Sequence, residues 1–131
     1  QVRLSRSTLI NDRVVNGFFN LLNRQFPVVT AEHGLKLLTP ADFARQLHIH
    51  VNHLNSMVKK NTGKTTRALI NERVIAETKT LLYHTDWNVS EIAYALGFEY
   101  PSHFNKYFRQ ATALSPMDYR AKRTAALAPV L

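Results

Sequence analysis

The amino-acid sequence predicts an all-α protein of about seven helices, built as two helix-turn-helix subdomains joined by a long linker helix. Three observations carry that reading. Only four Gly and five Pro punctuate 131 residues. Apolar residues recur at spacings of three and four rather than two. One pattern of residues occurs twice, which marks a repeated supersecondary unit. A chain of this length suits one compact domain or two small ones, and is short for a catalytic α/β architecture.

The first helix is predicted over residues 11–25, with Val14, Phe18, Leu21 and Leu22 on one stripe and the Phe26-Pro27 step ending it. Residues 27–38 read as a loop carrying His33 and Gly34. Thr39-Pro40 followed by Asp42 supplies an N-cap, a proline at the first helical position and an acidic first turn for a short helix through Leu47. A third helix, 50–61, closes at Asn61-Thr62-Gly63, where glycine can take the left-handed conformation. The fourth, 65–84, is long; it carries Leu69, Ile70, Val74, Ile75, Thr78, Leu81 and Leu82 and takes Thr65 or Thr66 as its cap. After Thr85-Asp86-Trp87-Asn88 come a helix over 89–96, a turn at Gly97, a helix over 101–111 and a last one after Ser115-Pro116.

The repeat aligns Phe43-Ala44-Arg45-Gln46-Leu47-His48-Ile49 with Ile92-Ala93-Tyr94-Ala95-Leu96-Gly97-Phe98, an offset of 49. Beyond the turn the offset becomes 50, so Leu54, Met57 and Val58 meet Phe104, Tyr107 and Phe108. Each copy has helix-turn-helix logic: a small alanine lets two helices cross closely, a tight turn sets their angle, and apolar positions on the second lock it. The turn needs positive φ, which Gly97 adopts freely and His48 at a cost. The units span 39–63 and 89–123 on either side of the linker helix 65–84.

Seventeen Lys and Arg against nine Asp and Glu give a formal charge of +8, an excess that attracts polyanions. The outward positions of the second helix in each unit are His50, Val51, Asn52, Asn55 and Ser56, then Pro101, Ser102, His103, Asn105 and Lys106. Such side chains can read donor and acceptor patterns in the major groove of duplex DNA, Asn matching adenine and Lys matching guanine. Lys59, Lys60, Lys64 and Arg67 flank the first helix, and Arg109, Arg120, Lys122 and Arg123 follow the second, where they could meet phosphates. Any one of them could equally be a solvated helix end; their recurrence beside both units favours double-stranded DNA. A rigid helix of about twenty residues spans roughly 30 Å, close to the ~34 Å between successive major-groove faces. One chain could then serve two neighbouring grooves without a palindromic site. The alternative is a basic helical module that binds an acidic protein partner or RNA.

Other chemistry finds little support. His48, His50 and His53 do not converge on one face, and no cysteine assists them, so no metal is expected. No cofactor is expected either. Trp87, Phe98, Phe104, Tyr107 and Phe108 read as core rather than as a stacking platform, with Tyr100 the more exposed ring. No nucleophile elbow, phosphate loop or zinc-protease pair is present, so no enzyme is expected. The absence of cysteine fits a reducing compartment such as the cytoplasm. No apolar run approaches the ~20 residues that span a bilayer, and a membrane partner is not expected. The chain begins at Gln1 rather than Met and reads as a piece of something longer.

These residues resemble the AraC/XylS family of bacterial transcription regulators over about 38–123. The resemblance rests on Leu81-Leu82 through Thr85, Val89-Ser90-Glu91-Ile92-Ala93, Leu96-Gly97-Phe98, Ser102-His103-Phe104, Lys106-Tyr107-Phe108-Arg109 and Ser115-Pro116-Met117-Asp118-Tyr119-Arg120. Leu54, Lys59-Lys60 and Thr62-Gly63-Lys64 match the end of the first unit. It implies a DNA-binding domain at 37–125, base readers on the second helix of each unit, RNA polymerase as a further partner, and a tail at 126–131. Residues 1–36 would be a helix and connection to a sensor or dimerisation domain upstream. Two departures stand out. Ala113 and Leu114 occupy the place where the family commonly has Gly, so a left-handed cap would cost about 1 kcal/mol and a local adjustment is expected. The first reading helix has no Lys or Arg before Lys59.

Overall fold

The computed structural model describes residues 6–32 and 34–127, and the side-chain environments within 13–123; His33 and the expected tail beyond 127 lie outside the described residues. Among the described residues seven α-helices follow one another: α1 Arg6–Arg24, α2 Pro40–Gln46, α3 Val51–Thr62, α4 Thr66–His84, α5 Val89–Ala95, α6 Pro101–Thr112 and α7 Pro116–Leu127. Helix α1 starts five residues earlier than expected, before the apolar stripe begins. The chain forms two compact units. The first holds residues 1–26 and 37–72, the second 27–36 and 73–131, so α4 lends its opening turns to one and the rest to the other.

In the first unit, Val15, Phe18 and Leu22 of α1 are buried with Phe43, Ala44, Leu54, Val58 and Ile70. The Phe18 and Phe43 rings meet edge-on at 5.1 Å. Gly17 permits close approach, since a Cβ there would lie 2.8 Å from Leu47 Cδ2. Helix α1, set apart by the sequence reading with residues 1–36, therefore shares this unit's core. Each fully buried Leu or Phe contributes about 1.5–3 kcal/mol.

The second unit buries Val74, Leu81, Leu82, Ile92, Ala93, Ala95, Leu96, Phe104 and Phe108. Of the five aromatic residues expected in the core, Phe104 and Phe108 are buried, whereas Trp87, Phe98 and Tyr107 are half-buried; Phe98 packs against Phe104 and Tyr107 at 5.3 and 5.2 Å, and Phe108 against Tyr119 at 5.7 Å. The segment 27–36 is held here too. The Leu35 amide donates to the Ala95 carbonyl at 3.2 Å, and the Val28 amide donates to the buried Glu77 carboxylate. Gly34 lies so close that a Cβ would meet the Tyr94 carbonyl at 2.9 Å.

The two units repeat each other in their polar detail. Thr39 and Asp42 form a capping box at α2, and Asn88 and Glu91 form one at α5. Each box satisfies amides that the first turn leaves without partners. After α2 the amides of His48 and Ile49 return to the carbonyls of Arg45 and Ala44; after α5 those of Gly97 and Phe98 return to Tyr94 and Ala93. This closing motif places His48 at φ 57° and Gly97 at φ 88°. Helices α3 and α6 close alike. Thr62 and Thr112 donate to the carbonyls of Val58 and Phe108 at 2.7 and 2.8 Å, and accept the amides of Lys64 and Leu114. Thr65 and Ser115 then cap α4 and α7. Ala113 itself takes the left-handed conformation at φ 66°, matching Gly63 at φ 77°. The expected adjustment does not occur, because the bonds on either side hold the backbone in that well.

Candidate nucleic-acid interface

Helix α3 is buried along Leu54 and Val58 and exposes Asn52, Asn55, Ser56, Lys59 and Lys60, with Val51 half-buried. The 3.6-residue period explains the split: the exposed positions fall between the two that face α1 and α2. His50 is the N-cap, its Nδ1 accepting the Asn52 amide at 3.0 Å. Helix α6 repeats the division, burying Phe104 and Phe108 while Ser102, His103, Asn105, Lys106, Arg109 and Gln110 remain exposed and Pro101 is half-buried. The Tyr100 ring packs against that of His103 at 5.3 Å.

Beside α3 lies a hollow of about 590 Å³, rimmed by Val51, Asn55, Ser56 and Lys59, by Arg67 in the first turn of α4, and by Thr39 at the start of α2. Cationic side chains next to a long helix N-terminus suit an anionic oxygen. Sequence reasoning named Lys59 and Arg67 but missed Thr39 and Thr65 as parts of the same rim; their capping residues were the available signal. On α6, Asn105, Lys106, Arg109 and Gln110 line a second hollow of about 480 Å³. Gln110, also missed, sits one turn beyond Lys106.

Several cations have internal work. Lys59 Nζ donates to the Gly63 carbonyl at 3.0 Å, and Lys64 Nζ pairs with Glu72 at 2.8 Å. Both are exposed, and such surface bonds are weak enough to be exchanged for a phosphate. Arg120, expected at a phosphate, has more internal partners than either lysine. Its guanidinium donates to the carbonyls of Leu82 at 2.9 Å, Thr85 at 3.2 Å, Leu81 at 3.4 Å and Trp87. Leu81 and Leu82 lie in the last turn of α4, the Leu81 carbonyl also accepting the Thr85 amide, and Thr85 and Trp87 lie in the loop that follows. Burial, with the nearby charge of Arg123, lowers the Arg120 pKa, and Asp86 partly opposes this. Arg123 adds bonds to Thr85 and Tyr83 and an ion pair with Asp86. Lys122 lies over the Tyr119 ring at 5.8 Å and is exposed.

At α2, burial would raise the pKa of Asp42, but amides of Leu38 and Thr39, the Thr39 hydroxyl and Arg45 outweigh it, holding the carboxyl below its ordinary range. Among the described residues no helix is long and apolar enough to cross a membrane.

Comparison with known proteins agrees with this architecture. A helix-turn-helix domain profile matches residues 43–122, more than half of the chain. The HTH-type transcriptional activator RhaS of Salmonella arizonae is 35% identical over 82 residues, which are 63% of this chain and 30% of that protein. The chain thus spans less than a third of the length of the curated relatives it matches. Three solved structures share the fold at lower identity. The C-terminal domain of AraT, a response regulator from Geobacillus stearothermophilus, has a TM-score of 0.66 at 24% identity, over 91% of this chain and 89% of that one. An AraC-type regulator from Chromobacterium violaceum has 0.65 at 20%, over 88% and 96%. The DNA-binding domain of the global transcriptional factor AdpA, solved in complex with a target DNA, has 0.63 at 22%, over 89% and 95%. Its two helix-turn-helix units and the extent of the sequence match establish that the chain belongs to the AraC/XylS family of transcription regulators, as a sequence-specific DNA-binding domain of that family.

Proposed function

We propose that the chain reads double-stranded DNA with α3 and α6, entering neighbouring major grooves, and so directs a regulator to its sites. The supporting observation is the recurrence of one exposed run of modest hydrogen-bonding side chains on the second helix of both units. His50, Val51, Asn52, Asn55 and Ser56 are the base readers of the first unit; Pro101, Ser102, His103, Asn105 and Lys106 are those of the second. Lys59, Lys60, Lys64, Arg67 and Arg109 contact phosphates, with Lys59 and Arg67 meeting one at the hollow they rim. An effector-binding or dimerisation domain lies upstream, RNA polymerase is the further partner, and the whole works in the cytoplasm without catalytic chemistry.

The test is selection from a random-duplex library, followed by salt titration on the enriched duplex and a scrambled control. Two short enriched elements about one helical turn apart are expected, with a salt slope near −0.9 per phosphate contacted. Equal, steeply salt-dependent binding to both duplexes would reject reading by this chain. Preference for RNA or an acidic protein would favour the interaction-module alternative.

A further inference from the structure

The two reading helices begin differently. Tyr100 caps α6 without a side-chain bond to its first turn, whereas His50 caps α3 through its ring. The Asn52 amide can only donate, so the Nδ1 that accepts it at 3.0 Å is the unprotonated nitrogen. The neutral ring therefore carries its proton on Nε2. The cap leaves an exposed residue with one polar atom to offer, and that atom is a donor. Its neighbours Asn52, Asn55 and Ser56 can each donate or accept. His50 alone in this exposed run of neutral groups is committed to one direction. It also stands at the N-terminal end of α3, the end whose side chains meet base edges when such a helix enters the major groove.

We propose that His50 is a specificity-determining residue of the first unit, a donor that selects a purine N7 on the major-groove base edge. This rests on α3 being a reading helix. Purine N7, guanine O6 and thymine O4 can accept its proton; the cytosine amine, itself a donor, cannot. The capping bond thus sets both the start of the helix and the chemistry of its first reader.

The experiment uses the intact chain and its enriched duplex, with 7-deazapurine placed at each purine of the first element in turn. Removing the accepting nitrogen should weaken binding about fivefold at one position, the ratio expected for one net hydrogen bond. His50→Ser keeps an N-cap acceptor and loses the imidazole donor. It should bind the unmodified site about fivefold more weakly and be indifferent to the deaza substitution at that position. Equal deaza sensitivity of wild type and His50→Ser at every purine overturns the proposal and leaves the ring a cap alone. A uniform loss on all duplexes points to a phosphate contact and overturns it as well. A library that enriches nothing overturns the DNA reading beneath it, a failure visible before any modified base is used. The deaza arm on wild type alters only the DNA and locates the accepting nitrogen, and the comparison with folded His50→Ser assigns it to the ring.

Discussion

Ala113 and Gly63 allow a backbone cost to be measured twice, with opposite signs, in one molecule. They occupy equivalent positions after α6 and α3, both are exposed, and their dihedrals, φ 66°, ψ 5° and φ 77°, ψ −5°, lie in one left-handed well. A Cβ at Gly63 would meet no heavy atom within 4 Å, so Gly63→Ala carries no steric clash. The left-handed well costs an L-residue about 1–2 kcal/mol, while glycine's extra freedom in the unfolded chain returns about 0.4–1 kcal/mol. Ala113→Gly should therefore stabilise by about 0.5–1 kcal/mol, and Gly63→Ala should destabilise by a similar amount. Urea unfolding followed by far-UV circular dichroism measures both, and fluorescence of Trp87, the sole tryptophan, reports the second unit separately. The double variant should return close to wild type, because independent sites add. Shifts of the same sign, or loss of stability in Ala113→Gly, would refute the view that the well is held against Ala113's preference.

Arg120→Ala should destabilise the second unit by about 2 kcal/mol, since it removes charge-assisted bonds to the end of α4. Arg120→Lys should restore little, lacking the planar fork, and the salt slope of DNA binding should not change; a slope reduced by one would return Arg120 to the phosphate contacts. Asp42→Ala should cost about 1 kcal/mol at neutral pH through its capping box. Because the folded pKa of Asp42 lies below the unfolded value near 3.9, that contribution is complete above it and fades as pH falls through the folded value. Melting curves of wild type and variant should therefore converge in acid. Lys106→Ala should cost about 1–3 kcal/mol of affinity and change preference at one position, whereas Lys64→Ala should weaken all duplexes alike and lower the salt slope by about one. A sequence-selective loss for Lys64→Ala, or an unchanged site preference for Lys106→Ala, would contradict these roles.

The sequence declared its architecture wherever the controlling interactions are local. Thr39-Pro40 with Asp42, the glycines at 63 and 97, and the apolar faces through Leu54 and Phe104 all act within a turn or two, so residue identity and spacing reveal them. Long-range work was hidden. Nothing in the residues around Arg120 announces that carbonyls 33 to 39 positions away will take its donors, and a basic residue past a reading helix looks alike whether it faces phosphate or backbone. Ala113 is anomalous in the sequence, yet its conformation depends on the Thr112 hydroxyl and the Arg109 carbonyl beside it. The outward position of His50 is legible from helical spacing. Its capping bond, and hence which nitrogen keeps the proton, emerged only from the backbone geometry of Asn52.

The path of residues 27–36 bears on how this domain can be cut and recombined. A sequence boundary near residue 37 looks like a natural seam, and a chain trimmed to begin there would retain every reading residue. It would also lose the Leu35 amide that covers the Ala95 carbonyl and the Val28 amide that meets the buried Glu77 carboxylate. The trimmed protein would leave that carboxylate with fewer donors, the kind of exposure that costs more than the bond itself contributed. Transplanted onto another regulator, the domain keeps its second unit whole when the graft begins before Pro27, and its first unit whole only when α1 travels with it.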